Sequence, residues 1–283
     1  MTFFLNSILF GITAGATYAL IAAGLSFLFG VMGAAFMAHG AVFALGAYGM
    51  YYLNVVYQLP VLLSILLSGL AAAVLGIVVE FVMHRRLFHD VDLALVAYVG
   101  LLWAMEGTMQ ILFGPDPKTV PTFVQGQVGL GSGIGISLQR LLLLPVAAMF
   151  VTAIWLVLRR TRFGIYVRAV KSNREASSTL GINTQLVNSS VFAASLALAA
   201  IAGAITSPLI NVTPTMGFDP LLKSFIIVIL GGMGSFGATI FVAFAFGILE
   251  SILVGQFGAG IGLLILFLAI AVFLIIRPKG IAG

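Results

Sequence analysis

The sequence predicts an all-α protein that crosses a lipid bilayer several times. Of its 283 residues, 61% are hydrophobic and 7% are charged, whereas soluble domains carry about 25% charged residues. Apolar runs of about 20 residues, the length needed to cross the hydrocarbon core, recur along the chain. Basic residues are concentrated in a few short segments between these runs, as is typical of cytoplasmic loops.

The apolar runs define the predicted spans. Six of them lie at 7–30, 34–53, 61–83, 93–113, 141–158 and 187–208. The stretch from 221 to 276 is also apolar but is repeatedly interrupted by glycine. It fits either one crossing with a re-entrant pair or three short crossings, so the prediction is about eight transmembrane helices, within a range of roughly seven to nine.

The distribution of positive charge predicts the orientation. Arg85 and Arg86, six basic residues between 159 and 174, and Arg277 with Lys279 make up ten of the thirteen lysines and arginines. These segments follow spans of the same predicted direction, so they are assigned to the cytoplasm. The loops 54–60, 114–140 and 209–220 then face outside, and they include Lys118 and Arg140. The net charge of +5 is attributed to these loops and does not indicate nucleic-acid binding.

The glycine-rich segment near 221–237 predicts a broken or re-entrant helix. Asp219 is expected to be the N-cap and Pro220 the first helical residue. The helix is expected to run to about Leu230, a rise of roughly 17 Å, or half the hydrocarbon core. The break follows at Gly231, Gly232, Gly234 and Gly237. It could lie inside the membrane against protein or a water-filled cavity, or in a loop at the interface.

Small residues at helical spacing indicate close packing between helices. Gly11 and Gly15 form a G-x-x-x-G pattern in the first run. Because lipid supplies no hydrophobic drive for association, membrane helices pack through close backbone approach at such positions.

Two polar residues in the predicted spans are candidates for a transport path. Glu106 lies well inside the fourth run, where an ionisable group costs about 2.5–3.5 kcal/mol on insertion scales. It is either a substrate or proton site, or a buried carboxyl bonded to a neighbouring helix. His39, next to Gly40 in the second run, either makes an interhelical hydrogen bond or lines the path with Gly40.

Two further carboxylates have structural interpretations. Glu80 stands near the cytoplasmic end of the third run, about one turn before Arg85 and Arg86, so an ion pair is expected there. Glu250 follows the glycine-rich segment and is interpreted as a structural polar anchor.

Motifs of catalysis and nucleotide binding are absent from the sequence. Lys171-Ser172 and Lys223-Ser224 lack the preceding glycines of a P-loop, and the common hydrolase motifs are missing. The chain has three histidines, His39, His84 and His89, and no cysteine, so no metal site is expected. The sequence is not that of an enzyme, and a transporter of this kind would draw energy from an ion gradient or from a separate ATPase.

The polar segment 159–186 predicts a cytoplasmic loop that presents a short helix. Ser172 and Glu175 have the spacing of a capping box. Gly181 can adopt the left-handed conformation that ends a helix. A short capped helix is therefore expected at 173–180, as a docking surface for another protein.

This segment resembles the E-A-A-x-x-x-G signature of ABC importer permeases. Glu175, Ala176 and Gly181 match it, and Ser177 replaces the second alanine. Three further blocks are similar to the LivH-type permeases of branched-chain amino acid importers: 15–20 with 38–40, 180–183, and 230–235 with 247–250. The C-terminal residues 277–280 also fit this family. The small side chain at Ser177 is interpreted as packing against a partner.

The resemblance implies one permease domain, 1–283, in a bacterial inner membrane. It implies that Ser172, Glu175, Ala176, Ser177 and Gly181 belong to a coupling helix that inserts into an ATPase. The implied partners are a LivM-like second permease, two ABC ATPase subunits, which bind the ATP, and an extracytoplasmic solute-binding protein. The chain itself is expected to hold no cofactor or metal and to contact lipid.

The functional hypothesis is an ABC importer permease for branched-chain amino acids or a related small polar solute. Urea, short amides and other amino acids remain alternative cargoes. The glycines Gly231, Gly232 and Gly234 are expected to line or gate the path. The runner-up is an ion-coupled carrier with Glu106 as the coupling carboxylate, and an intramembrane enzyme comes third.

Overall fold

Helices form nearly all of the regular structure of this chain. The computed structural model describes residues 2–87, 90–129 and 135–282, so His89, weighed above as a metal ligand, lies outside the described residues. The elements are α1 Thr2–Met32, α2 His39–Met50 with a π-helical extension Tyr51–Val56, α3 Val61–Val79 with a π-helical extension Glu80–His84, α4 Arg85–Leu87, α5 Val91–Phe113, β1 Gln127–Gly129, β2 Gly135–Ser137, α6 Leu138–Arg160, α7 Arg162–Ser172, α8 Arg174–Thr179, α9 Thr184–Thr206, α10 Phe218–Gly231 and α11 Phe236–Ile276. The strands form one antiparallel hairpin.

The helices confirm the predicted class of polytopic, all-α membrane protein. Within the described parts of the chain, six helices are long and apolar enough to cross a membrane: Phe3–Met32, Val61–Leu87, Val91–Phe113, Leu138–Arg160, Thr184–Thr206 and Phe236–Ile276. The total of about eight crossings stays a prediction, because the two shorter helices α2 and α10 fall below that length.

Hydrogen bonds between the basic segments and neighbouring elements bring these segments to one end of the bundle. Arg85 donates hydrogen bonds to Gln185 and Ser189, and Lys171 donates to the carbonyl of Gly234. The backbone N–H of Ile281 bonds the carbonyl of Leu230. We call this the inner end and the opposite one the outer end.

The predicted ion pair at the inner end is present. Glu80 is fully buried, and both of its carboxylate oxygens accept from Nε of Arg85 at 3.0 Å. Ser189 on α9 donates to the same carboxylate at 2.6 Å. The pair therefore ties the inner end of α3 to the start of α9.

The second helix starts later than predicted. The run 34–53 was expected to be helical throughout, but residues 33–36 are non-helical, Gly33 has φ +65°, and α2 begins at His39. The chain therefore leaves the inner end as a non-helical segment before it becomes helical. Hydropathy did not reveal this break, because residues 34–38 are as apolar as the helix that follows.

A glycine pair holds the start of α2 against the start of α10. A Cβ on Gly40 would lie 2.7 Å from the carbonyl oxygen of Gly217, and a Cβ on Gly217 would collide with the backbone of Gly40. The Asp219 N-cap prediction is wrong: Gly217 takes the N-cap position, without a side-chain cap, and Asp219 lies in the first turn. Its carboxylate is free to pair with Lys223.

The glycine break after α10 lies at the inner end. The helix ends at Gly231, and Gly232 and Gly234 have φ angles of +93° and +82°. The Nζ of Lys171, in the basic segment, lies 3.1 Å from the carbonyl oxygen of Gly234. The predicted break is thus confirmed, and it lies beside the basic segment.

The last helix folds back on itself. Gly258 has φ +79° and ψ 166°, which interrupts α11. A Cβ on Gly262 would lie 2.6 Å from the carbonyl oxygen of Leu253, and Leu266 packs in one buried cluster with Val242. The stretch 221–276 is therefore three helical pieces rather than one continuous crossing.

The G-x-x-x-G pattern of α1 packs against the first half of α11. A Cβ on Gly11 would lie 2.9 Å from the backbone nitrogen of Ile248, and one on Gly15 would lie 2.8 Å from Cα of Phe244. In return, a Cβ on Gly247 would lie 2.5 Å from the carbonyl oxygen of Gly11. The predicted close packing is confirmed, and its partner is α11.

Adding a methyl group at this interface should destabilise the protein. We expect Gly247→Ala to lower the free energy of unfolding by about 1–3 kcal/mol, the usual cost of overpacking, because rigid backbone atoms stand in the way. The matched control is Gly237→Ala on the same helix, where a Cβ meets nothing within 4 Å. The measurement is the thermal unfolding midpoint in detergent, and equal midpoints for the two variants would contradict the packing described.

Candidate functional site

The basic segment folds as two short helices on the inner end. Helix α7 is amphipathic: Val167 and Val170 are buried, whereas Ile165 and Tyr166 are exposed. Sequence reasoning treated this part as loop and missed α7. Its buried valines at i and i+3 were the available signal.

The start of α8 differs from the predicted capping box. Ser172 is the last residue of α7, and Asn173 is the N-cap of α8, with its Oδ1 accepting from the backbone N–H of Ala176 at 2.9 Å. The prediction was wrong by one residue because serine and asparagine are equally good caps. The shift leaves Glu175 at the second helical position, where the reciprocal bond of a capping box is not made.

The end of α8 is the predicted glycine stop. Gly181 has φ +80°. Its N–H bonds the carbonyl of Ser178, and the N–H of Ile182 bonds the carbonyl of Ser177, both at 3.1 Å. These two bonds form a Schellman motif, which closes the last helical turn. The helix is Arg174–Thr179, shorter than the predicted 173–180.

Most of the surface of helix α8 that faces away from the bundle is exposed. Glu175, Ala176 and Thr179 are exposed, and Leu180 is 81% exposed. Ser177 is buried, and its hydroxyl donates to the carbonyl of Asn173 at 2.7 Å. The interpretation of Ser177 as a partner contact is therefore wrong: its small side chain fits beneath α8, against its own chain.

The loop from Gly232 to Gly234, which we call the inner glycine loop, lies directly beside this segment. A Cβ on Gly234 would lie 2.8 Å from Nζ of Lys171 and 2.6 Å from Cα of Gly30. A cavity of about 250 Å³ separates α7 from α1 here, with Arg168 and Lys171 on its wall. Of the predicted path residues, Gly234 thus contacts the coupling segment, and Gly231 and Gly232 lie just before Gly234 in the chain.

Glu106 lies elsewhere, in a groove toward the outer end. It lines a polar cleft of about 450 Å³ with Trp103, Gln110, Thr213 and Thr215. Trp103 is 69% exposed, and a Cβ on Gly107 would meet nothing within 4 Å. This face of α5 therefore carries polar groups and has no covering helix among the described residues.

His39 and Gly40 lie inside the bundle. His39 is fully buried, and its ring fits against Gly24, where a Cβ would lie 3.1 Å from the ring and 2.8 Å from the carbonyl oxygen of Ser195. Gly40 contacts Gly217, as described above. The structure does not bring these two residues together with Glu106 or with the inner glycine loop.

Sequence reasoning missed a cluster of charged residues inside the bundle. Lys223 is 7% exposed, and its Nζ lies 2.7 Å from Glu250 and 2.8 Å from Asp219. Tyr18 donates to Glu250 at 2.7 Å and accepts from Lys223 at 3.2 Å. The i,i+4 spacing of Asp219 and Lys223 was a signal for one pair. Glu250 is the structural anchor that was predicted, with Lys223 as its partner.

A second cavity adjoins this cluster, between α1, α6, α9 and α10. Its volume is about 210 Å³, and its wall includes Tyr18, Asp219 and Arg140. The guanidinium of Arg140 stands over the ring of Phe10, 4.9 Å from its centroid. We call it the outer cavity.

The cap of α8 can be tested directly. We expect Asn173→Ala to destabilise α8 by about 1 kcal/mol, since the N–H of Ala176 loses its acceptor. The control is Ser172→Ala at the neighbouring position, which is exposed. Amide hydrogen exchange over 174–180 should be faster in the first variant and unchanged in the second. Faster exchange in Ser172→Ala alone would restore the capping-box interpretation.

Comparison with known proteins identifies similar chains. A family model described as "Branched-chain amino acid transport system / permease component" matches residues 7–277. The high-affinity branched-chain amino acid transport system permease protein BraD of Pseudomonas aeruginosa is 28% identical over 99% of this chain and 96% of its own length. LivH of Escherichia coli strain K12 is 26% identical over the same shares.

More distant similarities extend to other permeases. The ribose import permease protein RbsC of Haemophilus influenzae is 27% identical over 77% of this chain and 66% of its own length. Among solved structures, PsaBC from Streptococcus pneumoniae in complex with Fab is 14% identical, over 97% of this chain and 89% of that chain, with a TM-score of 0.43.

Proposed function

Since the chain belongs to the family of permease components of branched-chain amino acid transport systems, we propose that it translocates branched-chain amino acids or a related small polar solute as part of an ABC uptake system. It is a multi-pass membrane protein, and the proposed location is the bacterial inner membrane. The proposal treats 1–283 as one permease domain. It involves no catalysis in this chain and no cofactor, since partner subunits would bind the ATP.

The observation that carries the proposal is the exposed helix α8 at the inner end, both of whose ends are capped. An ATPase subunit needs a rigid contact through which to push, and a helix with an Asn173 cap and a Gly181 stop is such a contact. Its exposed Glu175, Ala176 and Leu180 would enter a cleft on the ATPase. Ser177 supports the helix from its own chain through its bond to Asn173, and Ser172 ends the preceding helix α7.

The route from the ATPase to the path runs through α7. Displacing α8 would move Lys171, which is bonded to Gly234 in the inner glycine loop. The positive φ angles of Gly232 and Gly234 make that loop the natural point of bending. In this proposal Gly231, Gly232 and Gly234 form the inner gate, and the broken start of α2 at His39 and Gly40 allows the bundle interior to change shape.

The proposed partners follow from the surfaces left uncovered. Polar groups on a lipid-facing helix are costly, so the cleft of Glu106 and Gln110 on α5 should be covered by a second, LivM-like permease subunit and line the path there. Two ATPase subunits would dock at the inner end. A solute-binding protein would deliver cargo at the outer end. Family membership favours this importer over an ion-coupled carrier that uses Glu106.

The coupling role makes a direct prediction. We expect Gly181→Val to abolish ATP-driven uptake of L-leucine in proteoliposomes of the complete transporter, while ATP hydrolysis persists. A β-branched residue at φ +80° is strained by about 1–2 kcal/mol, so the end of α8 should distort. The control is Gly258→Val at the bend of α11. Gly258 also has φ +79°, and a Cβ there would meet nothing within 4 Å. This variant therefore carries similar backbone strain at a site away from α8.

A second variant tests docking without backbone strain. We expect Ala176→Arg, on the exposed face of α8, to reduce co-purification of the ATPase subunits, because the larger side chain would not fit a helix cleft. Normal uptake and normal co-purification of the ATPase subunits in both Gly181→Val and Ala176→Arg would contradict the proposed docking role of α8.

A further inference from the structure

We infer that the outer cavity is a binding subsite for a zwitterionic solute, in which Arg140 takes the carboxylate and Asp219 the ammonium group. The inference rests on the proposed function, since it concerns the substrate of the same transporter. It places recognition chemistry inside this chain, at the outer end of the bundle.

The two walls of the outer cavity carry opposite charge. On the α10 side, Asp219 and Glu250 share one cation, Lys223, so that wall has an excess of one negative charge. On the α6 side stands Arg140, and no carboxylate lies within 4.0 Å of its guanidinium in the described part of the chain. A solute with one charge would be attracted by one wall and repelled by the other.

Arg140 is held where it can bind an anion. Its guanidinium rests over the ring of Phe10 at 4.9 Å from the centroid, a contact that uses the face of the group and leaves its N–H donors in the plane. Those donors form the fork that matches a carboxylate with two parallel hydrogen bonds. Arg140 is the third residue of α6, and it is half-buried.

Asp219 presents the complementary group. Its Oδ2 pairs with Lys223 at 2.8 Å, yet the side chain remains 69% exposed. Lys223 is itself shared with Glu250 at 2.7 Å. The carboxylate of Asp219 is thus oriented by Lys223 but incompletely neutralised, and an ammonium group can approach its open side.

The remaining wall suits the body of a small amino acid. The cavity volume of about 210 Å³ equals that of about seven water molecules at roughly 30 Å³ each. Hydroxyl groups offer further hydrogen bonds, and apolar side chains offer a surface for an aliphatic group. The residues are Thr13, Thr17, Tyr18 and Thr206 for the first set, and Ala14, Phe43, Leu143, Leu209 and Ile210 for the second.

Two helices, α10 and α1, connect the subsite to the inner gate. Asp219 lies in the first turn of α10, and Gly231 ends that helix, about 18 Å away at 1.5 Å per residue. Helix α1 likewise carries Tyr18 at the cavity and Gly30 against Gly234. A solute that draws Arg140 and Asp219 together would therefore act on both helices that hold the inner glycine loop.

The test measures which solute charge each residue recognises. The permease, assembled with its partner subunits in nanodiscs without the solute-binding protein, is titrated with L-leucine, L-leucinamide, which lacks the carboxylate, and 4-methylpentanoate, which lacks the ammonium group. Binding is followed by ligand-observed NMR. The variants are Arg140→Gln and Asp219→Asn, with Lys118→Gln and Asp116→Asn as controls from the outer loop 114–126.

Each variant should lose discrimination against one analogue. We expect the unmodified protein to prefer L-leucine over both analogues by roughly tenfold or more, or about 1.4 kcal/mol. Arg140→Gln should no longer distinguish L-leucine from L-leucinamide, yet still reject 4-methylpentanoate. Asp219→Asn should no longer distinguish L-leucine from 4-methylpentanoate, yet still reject L-leucinamide. Arg140→Lys should weaken binding of L-leucine only in part. The controls should behave as the unmodified protein does.

Three results would overturn the subsite. They are no binding of L-leucine to the unmodified protein, an equal loss for all three probes in Arg140→Gln, or recovery of uptake in the exchanged pair Arg140→Asp with Asp219→Arg. The last would show that the two residues close an outer gate by pairing with each other. ATPase co-purification and ATP-driven uptake of the unmodified transporter, measured in parallel, separate such a failure from failure of the proposed function.

Discussion

A helix that breaks inside a bilayer exposes backbone N–H and C=O groups that lipid cannot satisfy. This constraint decides where the chain can interrupt its helices. The starts of α2 and α10 meet inside the bundle, where Gly40 and Gly217 bring their backbones into contact. The break at Gly232 lies instead at the inner end, and the one at Gly258 lies where α11 turns back. Breaks that make a transporter deformable are thus placed only where protein or the interface surrounds them.

The close packing of glycines then determines which helices can move relative to each other. Gly11, Gly15 and Gly247 lock α1 to the first half of α11 through backbone contacts. By contrast, the polar face of α5 near Glu106 has no covering helix in the described ranges. A bundle with one tightly packed side and one open polar side is suited to a partner subunit on the open side, since the locked pair can serve as a fixed frame.

Features encoded within a few residues were predictable from the sequence. The apolar runs, the ion pair of Glu80 with Arg85 and the stop at Gly181 each depend on neighbours close in the chain. The cap at Asn173 was missed because two adjacent residues have nearly equal capping propensity. The late start of α2 and the pairing of Lys223 with Glu250 were not predictable, since hydropathy does not register a break in an apolar run and no local pattern links residues 27 positions apart.

The charged cluster explains why a lysine can be tolerated deep in this bundle. Burying one ion pair in a low-dielectric interior commonly costs as much as the pair gains. Lys223 has three polar partners rather than one, since it contacts Asp219, Glu250 and the hydroxyl of Tyr18 together. These contacts offset the cost of burying its charge. The same arrangement links α1, α10 and α11, which are the helices that reach the inner glycine loop and its contact with Lys171. An arriving ammonium group would change the charge that faces this cluster and would so act on all three helices at once, whereas a solute without charged groups would not.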